Sequence, residues 1–251
     1  MSDLGAEEVD VESDKRFNAV AWMQNSAEYR LLTEQVFRSA QTQLQIGLHD
    51  PNWSADEVQL ADNRFQRKKP AVILDCDETV LDNSAFNARN IADGLEYSRD
   101  SWNAWCSEAN AGAVPGSLEF VNVAKSLGAR VFFVTNREDL VKDATIRNLN
   151  ALGFTATAGN VLTKNPEQGR GGDKISRRAM VARNHRIVLL IGDNMGDLCS
   201  EMDTTNPEER NRTASVKQSM LGSRWFMLPN PVYGGWQRAL PTGRQALMLS
   251  R

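Results

Sequence analysis

Three short apolar runs stand out along the chain: residues 71–74 (AVIL), 131–134 (VFFV) and 187–191 (IVLLI). None alternates apolar with polar positions. Unbroken Val, Ile, Leu and Phe over such lengths predict strands buried on both faces, as in parallel sheets. Helical spacing lies between the runs. Leu118, Val121 and Ala124 mark a helix over 117–127, closed by Gly128. Val141, Leu149 and Leu152 mark another over 138–152, closed by Gly153. Glycine in that place accepts the left-handed backbone that ends a helix. Upstream, Leu32, Val36, Ala40 and Leu44 recur every fourth position, predicting a helix over 26–45 with Ser26 as its N-cap. His49-Asp50-Pro51-Asn52 stops it, because proline cannot continue a helix. Strand and helix alternate, which predicts an α/β fold with a parallel sheet.

Two stretches break the alternation. Residues 84–115 hold Tyr97, Trp102 and Trp105 among polar residues and read as an insertion over one end of the sheet. Residues 164–173 (KNPEQGRGGD) read as a loop. Residues 1–17 begin with an acidic stretch free of aromatic residues and read as a disordered tail.

Composition narrows the classes. At 251 residues, 41% hydrophobic and 24% charged, the chain can bury a core without disulfides or metal staples. It has no run of 18 apolar residues that would predict a membrane-spanning helix. The net charge of −3 is concentrated in Asp3, Glu7, Glu8, Asp10, Glu12 and Asp14, so the rest is slightly basic. That balance lacks the dense basic patch of a nucleic-acid binder and tolerates a small anionic substrate. Cys76, Cys106 and Cys199 have neither metal-type spacing nor an even count for a disulfide framework. The start, MSDLGAEEVD, has no basic or apolar leader region and predicts no signal peptide. Two expectations follow: a cytoplasmic protein, or one whose signal has been removed.

Polar residues follow each apolar run at once. They are Asp75-Cys76-Asp77-Glu78-Thr79, Thr135-Asn136-Arg137, and Gly192-Asp193-Asn194-Met195-Gly196-Asp197. Ligands of open α/β sheets bind beyond the carboxyl ends of strands, so these segments should converge. Asp75, Asp77, Asp193 and Asp197 would then share one site, at a cost that a cation relieves. Oxygen ligands without His or Cys point to Mg²⁺. A carboxylate beside Mg²⁺ can accept a phosphoryl group. Asp75, ending its strand, is the candidate nucleophile, and Asp77 the general acid and base. Thr135 and Asn136 can hydrogen-bond phosphoryl oxygens. Lys174, opening a helix over 174–183, is the first candidate for the neutralising lysine, and Lys164 the second. Cys76, between the two acids, should point into the core.

DCDETVLDN (75–83), VTNR (134–137), Lys174 and GDNMGD (192–197) together resemble the haloacid dehalogenase (HAD) superfamily of phosphotransferases. The fuller ILDCDETVLDN resembles its class C acid phosphatases, bacterial lipoprotein-type 5′-nucleotidases with a four-aspartate signature. NAVAWMQNSAEYR (18–30), AVPGSLEF (113–120) and MLPNPVYGGW (227–236) extend the likeness over about 18–237. The resemblance implies a HAD-like Rossmannoid core over 68–83 and 116–240. It implies a small, mainly helical cap from 18–62 and 84–115. It makes Asp75 the nucleophile and Asp77 the acid and base. Mg²⁺ would be held by Asp75, the Asp77 backbone carbonyl and Asp193, with Asp197 orienting a water ligand. Thr135, Asn136 and Lys174 would hold the phosphoryl group. Phe86, Trp102 and Tyr233 would form an aromatic pocket tolerant of base identity, while Trp105 reads as core. The substrates implied are nucleoside 5′-monophosphates and aryl phosphates. A periplasmic or outer-membrane location and a homodimer are implied likewise, although this chain lacks the family's lipidated cysteine.

Two other readings share parts of this pattern. Another HAD phosphatase or phosphotransferase, acting on sugar phosphates, would carry the same aspartates and differ in its cap. A non-catalytic phosphate-binding protein would need neither a nucleophile nor a separate acid. Histidine, cysteine, serine and P-loop phosphoryl chemistries lack their sequence motifs here.

Overall fold

The three apolar runs lie side by side at the centre of one parallel sheet. The computed structural model describes residues 10–199, 201 and 204–240. Helices α1 (Phe17–Asn25), α2 (Ala27–His49) and α3 (Glu57–Asp62) precede the first central strand, β1 (Lys69–Leu74). The insertion follows as β2 (Leu81–Asp82), α4 (Ser84–Ala92), α5 (Arg99–Glu108) and β3 (Gly112–Ala113). Strands and helices then alternate through α6 (Ser117–Ser126), β4 (Arg130–Glu138), α7 (Lys142–Ala151), β5 (Val161–Lys164), α8 (Ile175–Asn184) and β6 (His185–Gly192). Helices α9 (Met195–Leu198) and α10 (Pro207–Val216) and strand β7 (Trp225–Met227) come last. The sheet order is β5-β4-β1-β6-β7, all parallel.

The missing alternation in the central strands has a direct cause. Val72 and Leu74 of β1 join one core with Phe37, Phe120 and Phe133. Ala71 and Ile73 join a second core on the other face, with Phe132, Val181 and Trp225. Both helix stops are as predicted. Gly128 and Gly153 have φ of +82° and +96°. Ala129 N–H reaches back to Ala124 O, and Phe154 N–H to Leu149 O, closing the last carbonyls of α6 and α7.

Several expectations are corrected. Ser26 caps α2 through Tyr29 N–H, but the buried face is Tyr29, Thr33, Phe37, Ala40, Leu44 and Gly47, and Leu32 is exposed. A strict repeat of four drifts about 40° per step around a helix, so it cannot follow one face. Strand β4 continues through Thr135-Asn136-Arg137 to Glu138, which pairs with Lys164 after an irregularity. The predicted helix over 138–152 therefore begins at Lys142, after a 3-10 turn at Asp139–Val141. Of the predicted disordered tail 1–17, residues 1–9 lie outside the described residues. The remainder is folded: Val11–Ser13 is a 3-10 turn, Asp14 pairs with Arg16 at 2.6 Å, and Phe17 opens α1.

The expected cap segment 18–62 divides between two layers. Helix α1 packs with α4 of the insertion through Val20, Met23 and Ile91. Helix α2 instead packs on α6 and on the sheet. Arg186 of β6 donates to Gly47 O, Asp50 O and Trp53 O at 2.7–2.9 Å, tying the end of α2 to the sheet. Trp53 Nε1–H donates to Val188 O at 2.9 Å. The paired ribbon of β2 and β3 brackets the point where the insertion leaves and rejoins the core.

Candidate active site

Strands β1, β4 and β6 are neighbours, so their carboxyl ends open at one place. Asp75 N–H still bonds Ile191 O at 2.9 Å, which fixes the first acid to the edge of β6. Beyond it the chain curls at once. The N–H groups of Thr79, Val80 and Leu81 all turn back on Cys76 O, and Glu78 takes φ +54°. This tight turn brings Asp77 back toward the end of β4. Cys76 is fully buried in the core, as predicted.

Lys174 lies at the centre of the acids. Its ammonium bonds Asp75 Oδ1 and lies 2.6 Å from Asp197 Oδ1. Burial alone would lower its pKa, but the charges of Asp197 and Asp75 hold it above the ordinary lysine value. Lys174 is also the N-cap of α8, with φ +59°, a left-handed backbone that is uncommon for a side-chain-bearing residue. The second candidate, Lys164, ends β5, and its charge reaches Glu138 rather than this cluster.

Asp77 has a different set of partners. Arg137 Nε–H donates to its Oδ1 at 2.8 Å, Asn83 Nδ2–H to the same oxygen at 3.0 Å, and Thr135 Oγ1–H to Oδ2 at 3.3 Å. Thr135 Oγ1 in turn accepts from Arg137 N–H at 3.0 Å. Asn136 is engaged at both ends of its amide: Nδ2–H donates to Gly172 O at 3.0 Å, and Oδ1 accepts from Arg177 at 2.7 Å. Its side chain thus fastens the loop before Lys174. The buried Arg177 also donates to Thr135 O and Gly171 O, and burial lowers its pKa to about 10.

On β6, Asp193 accepts from two neutral groups, Asn230 Nδ2–H at 2.8 Å and Thr79 Oγ1–H at 3.4 Å. Burial and the nearby Asp197 charge push its pKa up to about 7. Burial also raises Asp75, against the pull of Lys174 and with the push of Asp197, Asp193 and Asp77. Asp197 is placed by the capping box of α9, in which Asn194 N–H donates to its Oδ2 at 2.9 Å. One lysine among these acids leaves an excess of negative charge in a buried place. Asp75, Asp193 and Asp197 each present an oxygen, all within 4.8 Å of one another. This all-carboxylate donor set fits a hard divalent cation.

A profile of the HAD superfamily, subfamily IIIB (acid phosphatase), matches residues 6–236. The chain belongs to this family. The class C acid phosphatase from Bacillus anthracis superposes with a TM-score of 0.77 at 32% identity, covering 91% of this chain and 89% of that one. The same enzyme with tungstate bound gives 0.77 at 30%, covering 95% of each. Among sequence relatives, acid phosphatase 1 of Solanum lycopersicum is 29% identical over 165 residues, 64% of this chain and 57% of the relative. A stem 28 kDa glycoprotein of Glycine max is 25% identical over 170 residues, 66% of this chain and 60% of the relative. The chain thus matches about three-fifths of the length of these two relatives.

In this acid phosphatase family member, the expected aromatic pocket is spread over two layers. Trp102 is half-buried, edge-on to Phe86 at 5.1 Å between ring centroids. Phe86 is only 5% exposed and backs Trp102 from within the core. Tyr233 packs against the cluster of α1 and α4 residues, with its hydroxyl buried and unpartnered. Trp105 is core, as predicted. Four site residues escaped the sequence reading: Asn83, Arg137, Arg177 and Asn230. Asn83, Arg137 and Asn230 lie inside the quoted segments DCDETVLDN, VTNR and MLPNPVYGGW, but nothing in their spacing singles them out. Arg177, three residues past Lys174, had no signal.

Proposed function

We propose that the protein is a Mg²⁺-dependent phosphomonoesterase acting on nucleoside 5′-monophosphates and aryl phosphates. The observation that carries this reading is the buried Lys174 ammonium on Asp75, with Asp77 held two residues beyond. A buried lysine between two aspartates makes a receptacle for an anion once a cation shares the negative charge. The related Bacillus anthracis enzyme binds tungstate, a tetrahedral oxyanion, which accords with an anion receptacle in this family.

Asp75 Oδ attacks phosphorus, and the bond from phosphorus to the ester oxygen breaks. Asp77, entering as the acid, gives its proton to the departing oxygen. Lys174 and Thr135 stabilise the charge that gathers on the phosphoryl oxygens. Asp77 then takes a proton from water, whose oxygen attacks phosphorus and releases phosphate from Asp75. Asp75, Asp193, Asp197 and the Asp77 carbonyl would hold Mg²⁺, which supplies positive charge against the phosphoryl oxygens. Trp102 offers the ring face for a base or aryl group, with Tyr233 as the second aromatic. The resemblance favours work in the periplasm or at the outer membrane, with the cytoplasm as the alternative; no helix among the described residues is long and apolar enough to cross a membrane.

The test is phosphate release from 5′-nucleotides, 3′-nucleotides, sugar phosphates and p-nitrophenyl phosphate, from acidic to neutral pH, with EDTA and with Mg²⁺ restored. Release should be strongest for 5′-nucleotides and aryl phosphates, should return with Mg²⁺ and should vanish in Asp75→Asn. Release from sugar phosphates alone would discard the substrate class and keep the chemistry. No release from any ester would sink both.

A further inference from the structure

Helix α5 of the insertion reaches Arg137 and Glu138 at the end of β4 and Asn83 at the start of α4. Arg99 pairs with Glu138 at 2.7 Å. The Trp102 ring lies under the Arg137 guanidinium, 5.6 Å from its carbon to the ring centroid. Trp105 Nε1–H donates to Asn83 Oδ1 at 2.8 Å. Arg137 and Asn83 are the residues that grip Asp77 Oδ1. They also grip each other, since Arg137 Nη2–H donates to Asn83 Oδ1 at 3.0 Å. Asn83 is anchored again through its backbone N–H on Glu78 Oε1 at 2.8 Å. Arg137 and Asn83 are 1% and 0% exposed, so water does not compete for these bonds.

We infer that Arg137 and Asn83 are positioning residues for Asp77, and that α5 holds them in place through Trp102 and Trp105. The inference rests on the reading of Asp77 as the general acid. A carboxyl with one oxygen fixed by two donors cannot rotate freely, so its other oxygen, Oδ2, keeps one direction. Among the described residues, Oδ2 carries only the Thr135 hydroxyl, at 3.3 Å, and that bond is easily exchanged for one to a leaving-group oxygen. The fork geometry of arginine matters here, because one planar group bonds both Asp77 and Asn83. The cation–π contact and the indole N–H bond come from residues one helix turn apart on α5. The insertion thereby joins a ring that can face the substrate to the groups that orient the acid.

The test separates positioning from simple structural support by varying the leaving group. Phenyl phosphate and p-nitrophenyl phosphate carry the same ring, but phenolate needs a proton far more than nitrophenolate does. The quantity kcat/KM reports the first phosphoryl transfer for both esters. In Arg137→Lys, kcat/KM for phenyl phosphate should fall about tenfold further than for p-nitrophenyl phosphate. Trp105→Phe keeps the ring in the core and removes only the N–H, so it guards against misfolding in the first variant. It should shift the same ratio by about threefold in the same direction. Equal losses on both esters, or an unchanged ratio in Trp105→Phe, would overturn the inference. Asp77→Asn is the control. A steep leaving-group dependence there with none in the two other variants sinks the positioning role alone. No such dependence in Asp77→Asn sinks the acid assignment and the positioning role with it.

Discussion

Gly192 lacks a side chain, and the carboxylate of Asp197 occupies the space beside it. A Cβ at Gly192 would come within 2.7 Å of Asp197 Cγ, so Gly192→Ala must displace one of the acids that surround Lys174. Activity should fall by up to about a hundredfold, the scale on which a displacement of about 1 Å costs catalysis. The circular dichroism spectrum should be unchanged. Full activity would show that Asp197 has room to move. The four aspartates could be read from the sequence because each follows an apolar run, and strand ends face ligands. Arg177 could not, since its role depends on where the 164–173 loop folds back. The side chain of Asn136 was expected on phosphate, yet both ends of its amide are taken up by that same loop.

Elements are joined here by buried arginine and by loop clasps. Arg186 satisfies three carbonyls at and beyond the end of α2, where the helix dipole favours a cation. Arg186→Met should therefore cost roughly 2–4 kcal/mol in urea denaturation, the range for stranding buried acceptors and losing charged hydrogen bonds. A loss below the error of the fit would show that α2 is held by apolar packing alone. The loop before Lys174 is clasped to Asp139, which accepts from Thr163, Asn165 (2.6 Å) and Arg170. Burial would raise the Asp139 pKa, but these hydrogen bonds and the Arg170 charge hold it below the ordinary carboxylate value. A depressed folded pKa contributes stability above the unfolded value, about 3.9, and the contribution fades as pH falls through the folded value. The loop should thus resist proteolysis at pH 5 and open to it well below pH 4. In Asp139→Asn it should be cut at pH 5 as well. Cleavage with the same pH profile in both proteins would remove the clasp from the account. Strand and helix types were legible because the apolar runs and glycine stops are local signals. The start of α7 was not, because the irregular pairing of β4 with β5 carries the strand four residues further.

The whole molecule keeps an excess of buried negative charge at the sheet's carboxyl end, and a bound cation should be felt as stability. Ligand at about 100 times its Kd adds about 2.7 kcal/mol by mass action. For a chain of this size, that raises Tm by roughly 5–10 °C. Mg²⁺ should produce such a rise, EDTA should reverse it, and Asp193→Asn should abolish it. An equal rise in Asp193→Asn would place the cation elsewhere. The sequence by itself determined the fold class, the order of the strands' chemistry and the acids that meet, because burial on both faces and placement at strand ends leave marks in the local pattern. Only the tertiary structure decided that Lys174 rather than Lys164 enters the cluster, that α2 belongs to the sheet and α1 to the insertion, and that α5 reaches Asp77 through Arg137 and Asn83. Those choices depend on contacts between segments far apart in the chain, which local periodicity does not record.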